Sequence, residues 1–251
     1  VGDHWQLAPI IQAQWPDHGP QSSLLDWLRH STRAHPDACS TLLENHRMCP
    51  ELADFAQHVL GYDEYVTCDK GGCTCRSQRS VKSWFKDAEP TTRLENMARA
   101  ILRAEKAFIL IHLASASIAT EAEIVAAIAK FVFPYVVTPH HVQRQACLRA
   151  LAREGRSGVV NTVEKMQGKE HSVVVACYGM EAIERELDFV YSRPRLLVAL
   201  SRAKYKTILI VGPDIFKPDP EIFKVESRQQ GFSLFESVKH WCEEKECIIN
   251  I

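Results

Sequence analysis

Apolar and polar positions alternate along the chain in blocks that read as helices and buried strands. The clearest block is 193–212, RPRLLVALSRAKYKTILIVG. Leu196, Leu197, Ala199 and Leu200 recur at helical spacing. A polar break at Lys204, Tyr205 and Lys206 follows, and then an apolar, β-branched run from 207 to 211 that stops at Gly212. Helix, turn and buried strand in that order form the repeating unit of a parallel α/β sheet. Strands are expected at 108–113, at 133–138, from Val159 onward and at 172–177, with a short one at the start of LLENHRMCP (42–50). Helices are expected after Ser22-Ser23, over 50–60 (Leu52, Phe55, Ala56 and Val59 inward), over 119–131 and over 232–244. The second of these begins at a proline, and the third starts at Thr120 with Glu121 and Glu123 in its first turn, where negative charge is favourable. In the last helix Phe232, Phe235, Val238 and Trp241 fall at helical spacing and read as core. Residues 11–20, with two prolines and a glycine, and 213–220 read as loops.

Composition changes little in this picture. The chain has 251 residues and a formal net charge of −1, so a nucleic-acid surface has to come from local patches. No apolar run reaches the roughly 18–20 residues of a membrane span, and no membrane partner is expected. The start, VGDHWQLAPI, has neither a basic segment nor an extended apolar one, and no initiator Met. It reads as the middle of a longer protein or a processed one. Nine scattered cysteines in a chain without secretory features read as reduced thiols and an intracellular setting, nuclear or cytoplasmic. Cys68, Cys73 and Cys75 lack the paired spacing and fourth ligand of a structural zinc site, so the polar stretch 61–92 reads as a variable surface insertion.

Five short stretches carry candidate chemistry: GDHWQLAPI (2–10), LLENHRMCP (42–50), TPHHVQ (138–143), NTVEKMQGKE (161–170) and LLVALSRAK (196–204). Taken alone, Arg202 could be a surface arginine near a helix C-terminus, or a rigid donor fork presented to phosphate oxygens. Gln167-Gly168 could simply be a turn between two strands, with Gly168 allowing a backbone shape that a larger residue would strain. In combination the stretches resemble motifs III, IV, V and VI of the superfamily 1 helicases, together with that family's T-P-[YH]-x-x-Q stretch. GDHWQLAPI is similar to the superfamily 1B form, the group of the nonsense-mediated-decay helicase and senataxin.

The resemblance implies a RecA-like P-loop NTPase fold, a parallel sheet flanked by helices. Residues 1–41 would be the end of a first RecA-like domain and 42–251 the second. It implies ATP and Mg²⁺ as cofactors, with single-stranded RNA or DNA as partner and 5′ to 3′ movement along it. By the matched motifs, Arg202 is the arginine finger, Arg47 a second contact to the γ-phosphate, and Gln6 a sensor near it. Gly168 shapes the nucleotide-side turn and Glu170 accepts from the ribose. Thr162, Thr138, Pro139 and Arg144 fall on the nucleic-acid side. Leu197 stands where the family has Asn, Asn45-His46 replaces Gln-Tyr, Val163-Glu164 replaces the usual Asp, and Met166 the usual Phe.

The phosphate-binding loop G-x-x-x-x-G-K-[ST] and an acidic Walker B strand do not occur in the sequence. In the family both lie upstream of motif III, so the Mg²⁺ ligands are expected on the first RecA-like domain of the same parent chain. The isolated 251 residues are expected not to hydrolyse ATP. The alternative is a nucleic-acid-binding or regulatory module without ATPase activity.

Overall fold

The computed structural model describes residues 44–62, 66–67, 85–179 and 187–251. Gln6, the remainder of 1–41, and Cys68, Cys73 and Cys75 lie outside the described residues. Six parallel strands form the centre: β3 (Phe108–His112), β4 (Tyr135–Thr138), β5 (Val159–Thr162), β6 (His171–Tyr178), β7 (Ala203–Val211) and β8 (Ile248–Asn250). Their order is β5-β4-β6-β7-β3-β8. A short parallel pair, β1 (Glu44–Asn45) with β2 (Val66–Thr67), stands apart. The helices are α1 (Pro50–His58), α2 (Arg93–Arg103), α3 (Ile118–Ala129), α4 (His141–Arg153), α5 (Val163–Met166), α6 (Leu187–Val190), α7 (Arg193–Leu200) and α8 (Glu226–Glu244). This is the α/β, RecA-like arrangement expected from the sequence. Residues 173–178 of β6 and 207–211 of β7 are buried and mostly apolar because helices flank the sheet and leave the central strands little solvent on either face.

The break expected at Lys204–Lys206 is not a turn but a register irregularity inside β7, which pairs with β6 at Ala203 opposite His171 and again from Lys206 opposite Val173. Lys206 is buried within the strand, and its Nζ donates to Ile101 O at 2.7 Å and Ala104 O at 2.8 Å. It thereby satisfies carbonyls at the C-terminus of α2 that have no helical partner. Burial pushes its ammonium pKa down to about 8. Ser201 is the C-cap of α7, so Arg202 lies past the helix rather than late in it. The strand expected from 133 starts at Tyr135, after exposed Phe133 and a proline. Ser117 rather than Thr120 caps α3, its hydroxyl accepting from Thr120 N at 3.1 Å. Helix α8 begins six residues earlier than its aromatic stripe indicates, at Glu226 instead of Phe232.

The strand order reverses between β4 and β6, which opens a crevice at their carboxyl ends, the usual ligand position in open α/β sheets. A buried polar plug fills part of it. Gln143 Nε2 donates to Glu121 Oε2 at 2.8 Å and to Cys177 O at 3.1 Å. Gly179 N donates to Glu121 Oε1 at 2.5 Å. Gly179 has to lack a side chain, since a Cβ would lie 2.7 Å from Leu113 Cδ1 and 2.9 Å from Glu121 Cγ.

Burial pushes Glu121 up to about 7, against an ordinary 4.5, despite both bonds it accepts. The folded protein therefore holds this proton more tightly than the unfolded chain. The associated stability is fully present below about pH 4.5 and is lost as pH rises through about 7, on the order of 3 kcal/mol in all. Urea unfolding of wild type should show that decline between pH 5 and 8, and Glu121→Gln should flatten it. Parallel profiles for the two proteins would place the proton elsewhere.

Candidate functional site

One group of site residues gathers at the amino ends of β6 and β7. Asn45 is buried and organises the loop before α1: its Oδ1 accepts from Arg47 N at 3.0 Å and Met48 N at 3.1 Å, and its Nδ2 donates to Met48 O at 3.3 Å. An Asn side chain that bonds its own backbone a few residues on is a compact way to fix such a turn. The loop is then fastened to β7, with Cys49 N donating to Lys204 O at 2.8 Å. Lys204 forms an ion pair with Glu170, and His171 N donates to Arg202 O at 3.0 Å. Arg47, Glu170 and Arg202 are thus brought to one edge around the first residues of β7.

Their side chains differ in what they do there. Arg47 Nε is buried and bonded to no acceptor among the described residues, an arrangement that fits an incoming anionic oxygen. Arg202 is only 2% exposed, and its guanidinium turns back on α7, Nε donating to Val198 O at 3.0 Å and Nη2 to Ser201 Oγ at 3.0 Å. Gln167 (φ −57°, ψ 133°) and Gly168 (φ +76°) form the centre of a type II turn closed by Lys169 N donating to Met166 O at 3.1 Å. The positive φ is the conformation expected of Gly168, and it leads the chain to Glu170.

A second group lies at the opposite edge, beyond the carboxyl ends of β4 and β5, where Thr138 and Thr162 are register partners. Both are buried. Thr138 Oγ1 donates to His140 O at 3.2 Å, and the Thr162 hydroxyl bonds the Glu164 carboxylate. Burial pushes Glu164 up, but its own backbone N–H, Arg195 and Thr162 outweigh this and hold it below the ordinary carboxylate range. Arg195 Nε donates to Glu164 Oε1 at 2.9 Å. Pro139 is buried beside Thr138, and Arg144 Nε donates to Val160 O at 3.1 Å, tying α4 to β5.

From Thr138, level with Cys177 on β6, to the strand start at His171 is about 20 Å at 3.3 Å per residue. The stretch 161–170 therefore bridges the two groups, beginning beside one and ending in the other. Asn45, Glu164 and Arg195 were not singled out from sequence as site residues. Asn45 and Glu164 were visible there only as departures from the motif pattern.

Among the described residues, no group of three or more His, Cys, Asp or Glu is placed to hold a metal ion, and no helix is long and apolar enough to cross a membrane.

A parallel sheet flanked by helices is the α/β frame that these residues share. The model of an AAA domain family matches residues 21–214, and the chain belongs to that family. It is 25% identical over 229 residues to the DNA replication ATP-dependent helicase/nuclease JHS1 of Arabidopsis thaliana, which covers 84% of this chain and 16% of that protein. To the DNA replication ATP-dependent helicase/nuclease DNA2 of Gallus gallus it is 23% identical over 218 residues, 84% of this chain and 20% of that one. An uncharacterized ATP-dependent helicase of Methanocaldococcus jannaschii is 33% identical over 98 residues, 39% of this chain and 14% of the relative. The chain thus spans a fifth or less of the length of these relatives. All three carry the name helicase, in keeping with the superfamily 1 motifs; none bears the name of the nonsense-mediated-decay or senataxin group.

Proposed function

We propose that this chain is the second RecA-like domain of an ATP-dependent superfamily 1 helicase, with residues 1–41 closing the first. The observation that carries the reading is the placement of Arg47, Glu170 and Arg202 at one edge of the sheet, linked by 161–170 to Thr138 and Thr162 at the other. ATP with Mg²⁺ supplies a γ-phosphoryl group whose transfer needs positioning and charge stabilisation more than covalent chemistry from the protein. Arg47 and Arg202 supply fixed positive charge and donors, Gln6 senses the phosphate, and Glu170 accepts from the ribose. The Mg²⁺ ligands belong to the first RecA-like domain. Thr138, Pro139, Thr162 and Arg144 line the path of a single strand. The names of two relatives favour DNA over RNA as that strand. The 5′ to 3′ direction rests on the resemblance to superfamily 1B.

The engagement of Arg202 with Val198 and Ser201 favours a second reading, a binding module without ATPase activity. Purified 1–251 separates the parts of the proposal. It should bind single-stranded oligonucleotides with an affinity that falls as salt rises, and show no ATP turnover above background. Absence of binding to both DNA and RNA would refute the nucleic-acid assignment. Turnover that disappears in Arg202→Ala would refute the need for a first domain. An active parent protein excludes the module reading.

A further inference from the structure

At the carboxyl edge one aromatic ring is left facing solvent on a helix that is otherwise pinned. In α6, Leu187 and Val190 are buried, while Asp188 accepts from Arg228 Nε at 2.6 Å and Nη2 at 3.2 Å. Phe189, between these anchors, is 40% exposed. The Arg195 guanidinium lies over the Phe189 ring, 4.3 Å from its centroid, and the His140 ring is 5.7 Å away at a 53° tilt. Arg195 is held by Glu164, Glu164 by the Thr162 hydroxyl, Thr162 pairs with Thr138, and Thr138 bonds the carbonyl of His140. These contacts, through backbone at the Thr162–Thr138 pairing and the His140 carbonyl, link the candidate nucleic-acid edge to Phe189, which is partly exposed.

We propose that Phe189 is a stacking platform for one base of a single strand of nucleic acid crossing this edge, backed by the Arg195 guanidinium. The inference rests on the nucleic-acid reading given above and adds a subsite to it. A partly exposed ring already covered on one side by a cation can complete a guanidinium–ring–base sandwich when a base arrives, and every base offers a π-face. Its rigidity matters as much as its exposure. The buried neighbours and the Asp188–Arg228 clamp fix the ring before binding, so little side-chain freedom is lost on stacking. Among the described residues, Glu164 and Asp188 are the acidic groups in the contacts around the platform, and each is paired with an arginine. Exposed Lys165 on α5 adds positive charge for the sugar–phosphate backbone. A single strand is the occupant the geometry favours, because bases in a duplex are already stacked.

The test uses purified 1–251 with a short single-stranded oligonucleotide carrying one 2-aminopurine, read by anisotropy and by base fluorescence. Wild type should quench the probe on binding. Phe189→Ala should bind roughly ten-fold more weakly and lose the quench while keeping the same salt slope, because no phosphate contact is removed. Phe189→Trp should retain both, and Phe189→Leu, which keeps apolar bulk without a π-face, should behave like the alanine variant. Matching thermal unfolding of the variants checks the fold. If wild type binds no oligonucleotide, the reading of this edge fails before the platform does. If wild type binds and Phe189→Ala or Phe189→Leu matches it with the quench retained, the platform alone is overturned. Unchanged oligonucleotide affinity, with wild-type self-association that Phe189→Ala abolishes, overturns it in favour of a protein contact.

Discussion

In the complete protein, Arg202→Ala should lower ATP turnover by about 10³-fold or more while ATP binding persists. That is a loss of at least about 4 kcal/mol of transition-state stabilisation. The expectation follows from placing a permanently charged, planar donor at the edge shared by Arg47 and Glu170. In the structure its Nε and Nη2 face Val198 O and Ser201 Oγ, so engaging a phosphate means exchanging these neutral acceptors for charged oxygens. The exchange is favourable because hydrogen bonds to ionised acceptors are the stronger kind. The same two bonds give the residue a structural share, and alanine should cost about 1–3 kcal/mol of stability through them. Turnover has to be compared well below the unfolding temperature of the variant. Arg202→Lys keeps the charge without the fork and should recover only part of the rate. Wild-type turnover in Arg202→Ala would remove Arg202 from the nucleotide site.

Gly231→Ala should be the most damaging substitution for the fold itself, although alanine ordinarily favours a helix interior over glycine by about 1 kcal/mol. Helix α8 crosses the segment after α6 so closely that a Cβ at 231 would lie 1.8 Å from Tyr191 O and 2.3 Å from its carbonyl carbon. These are backbone atoms that cannot swing aside. Tyr191 is fixed in turn by its hydroxyl, which donates to Ile215 O at 3.2 Å and Asp214 O at 3.4 Å. Either the helix or the chain beneath it has to move, at a cost of about 3 kcal/mol, the upper end of ordinary overpacking. For a domain of this size the melting temperature should drop by about 6–12 °C. A variant as stable as wild type would mean that α8 packs less closely than described.

Much of the fold was legible because its central strands are buried on both faces. The runs that became β3, most of β6 and the second half of β7 carry little but apolar and β-branched residues. The edges were harder. Strand β8 has three residues, two of them only partly buried, and offers no periodicity to find. Lys206 was misread for a physical reason: a lysine inside an apolar strand looks like an interruption until the carbonyls of Ile101 and Ala104, more than a hundred residues away, are seen to require it. Helix α2 was not anticipated, although Thr92 and Glu95 supply the capping box that starts it. At the site, motif spacing placed Arg47, Glu170 and Arg202 in stretches that do meet in space. It could not say which way each side chain points, because the pairs Lys204–Glu170 and Arg195–Glu164 form only through tertiary packing. Phe189 was invisible for the same reason, since one aromatic in a polar stretch has meaning only beside Arg195 and His140.

The separation of the two edges has a mechanical consequence. With Arg202 at one end of the strands and Thr162 at the other, the sheet is a stiff arm about 20 Å long. If the amino edge holds a nucleotide as proposed, turning the arm about that edge displaces its far end by about 3.4 Å, the rise of one base along a strand, for a rotation of only about 10°.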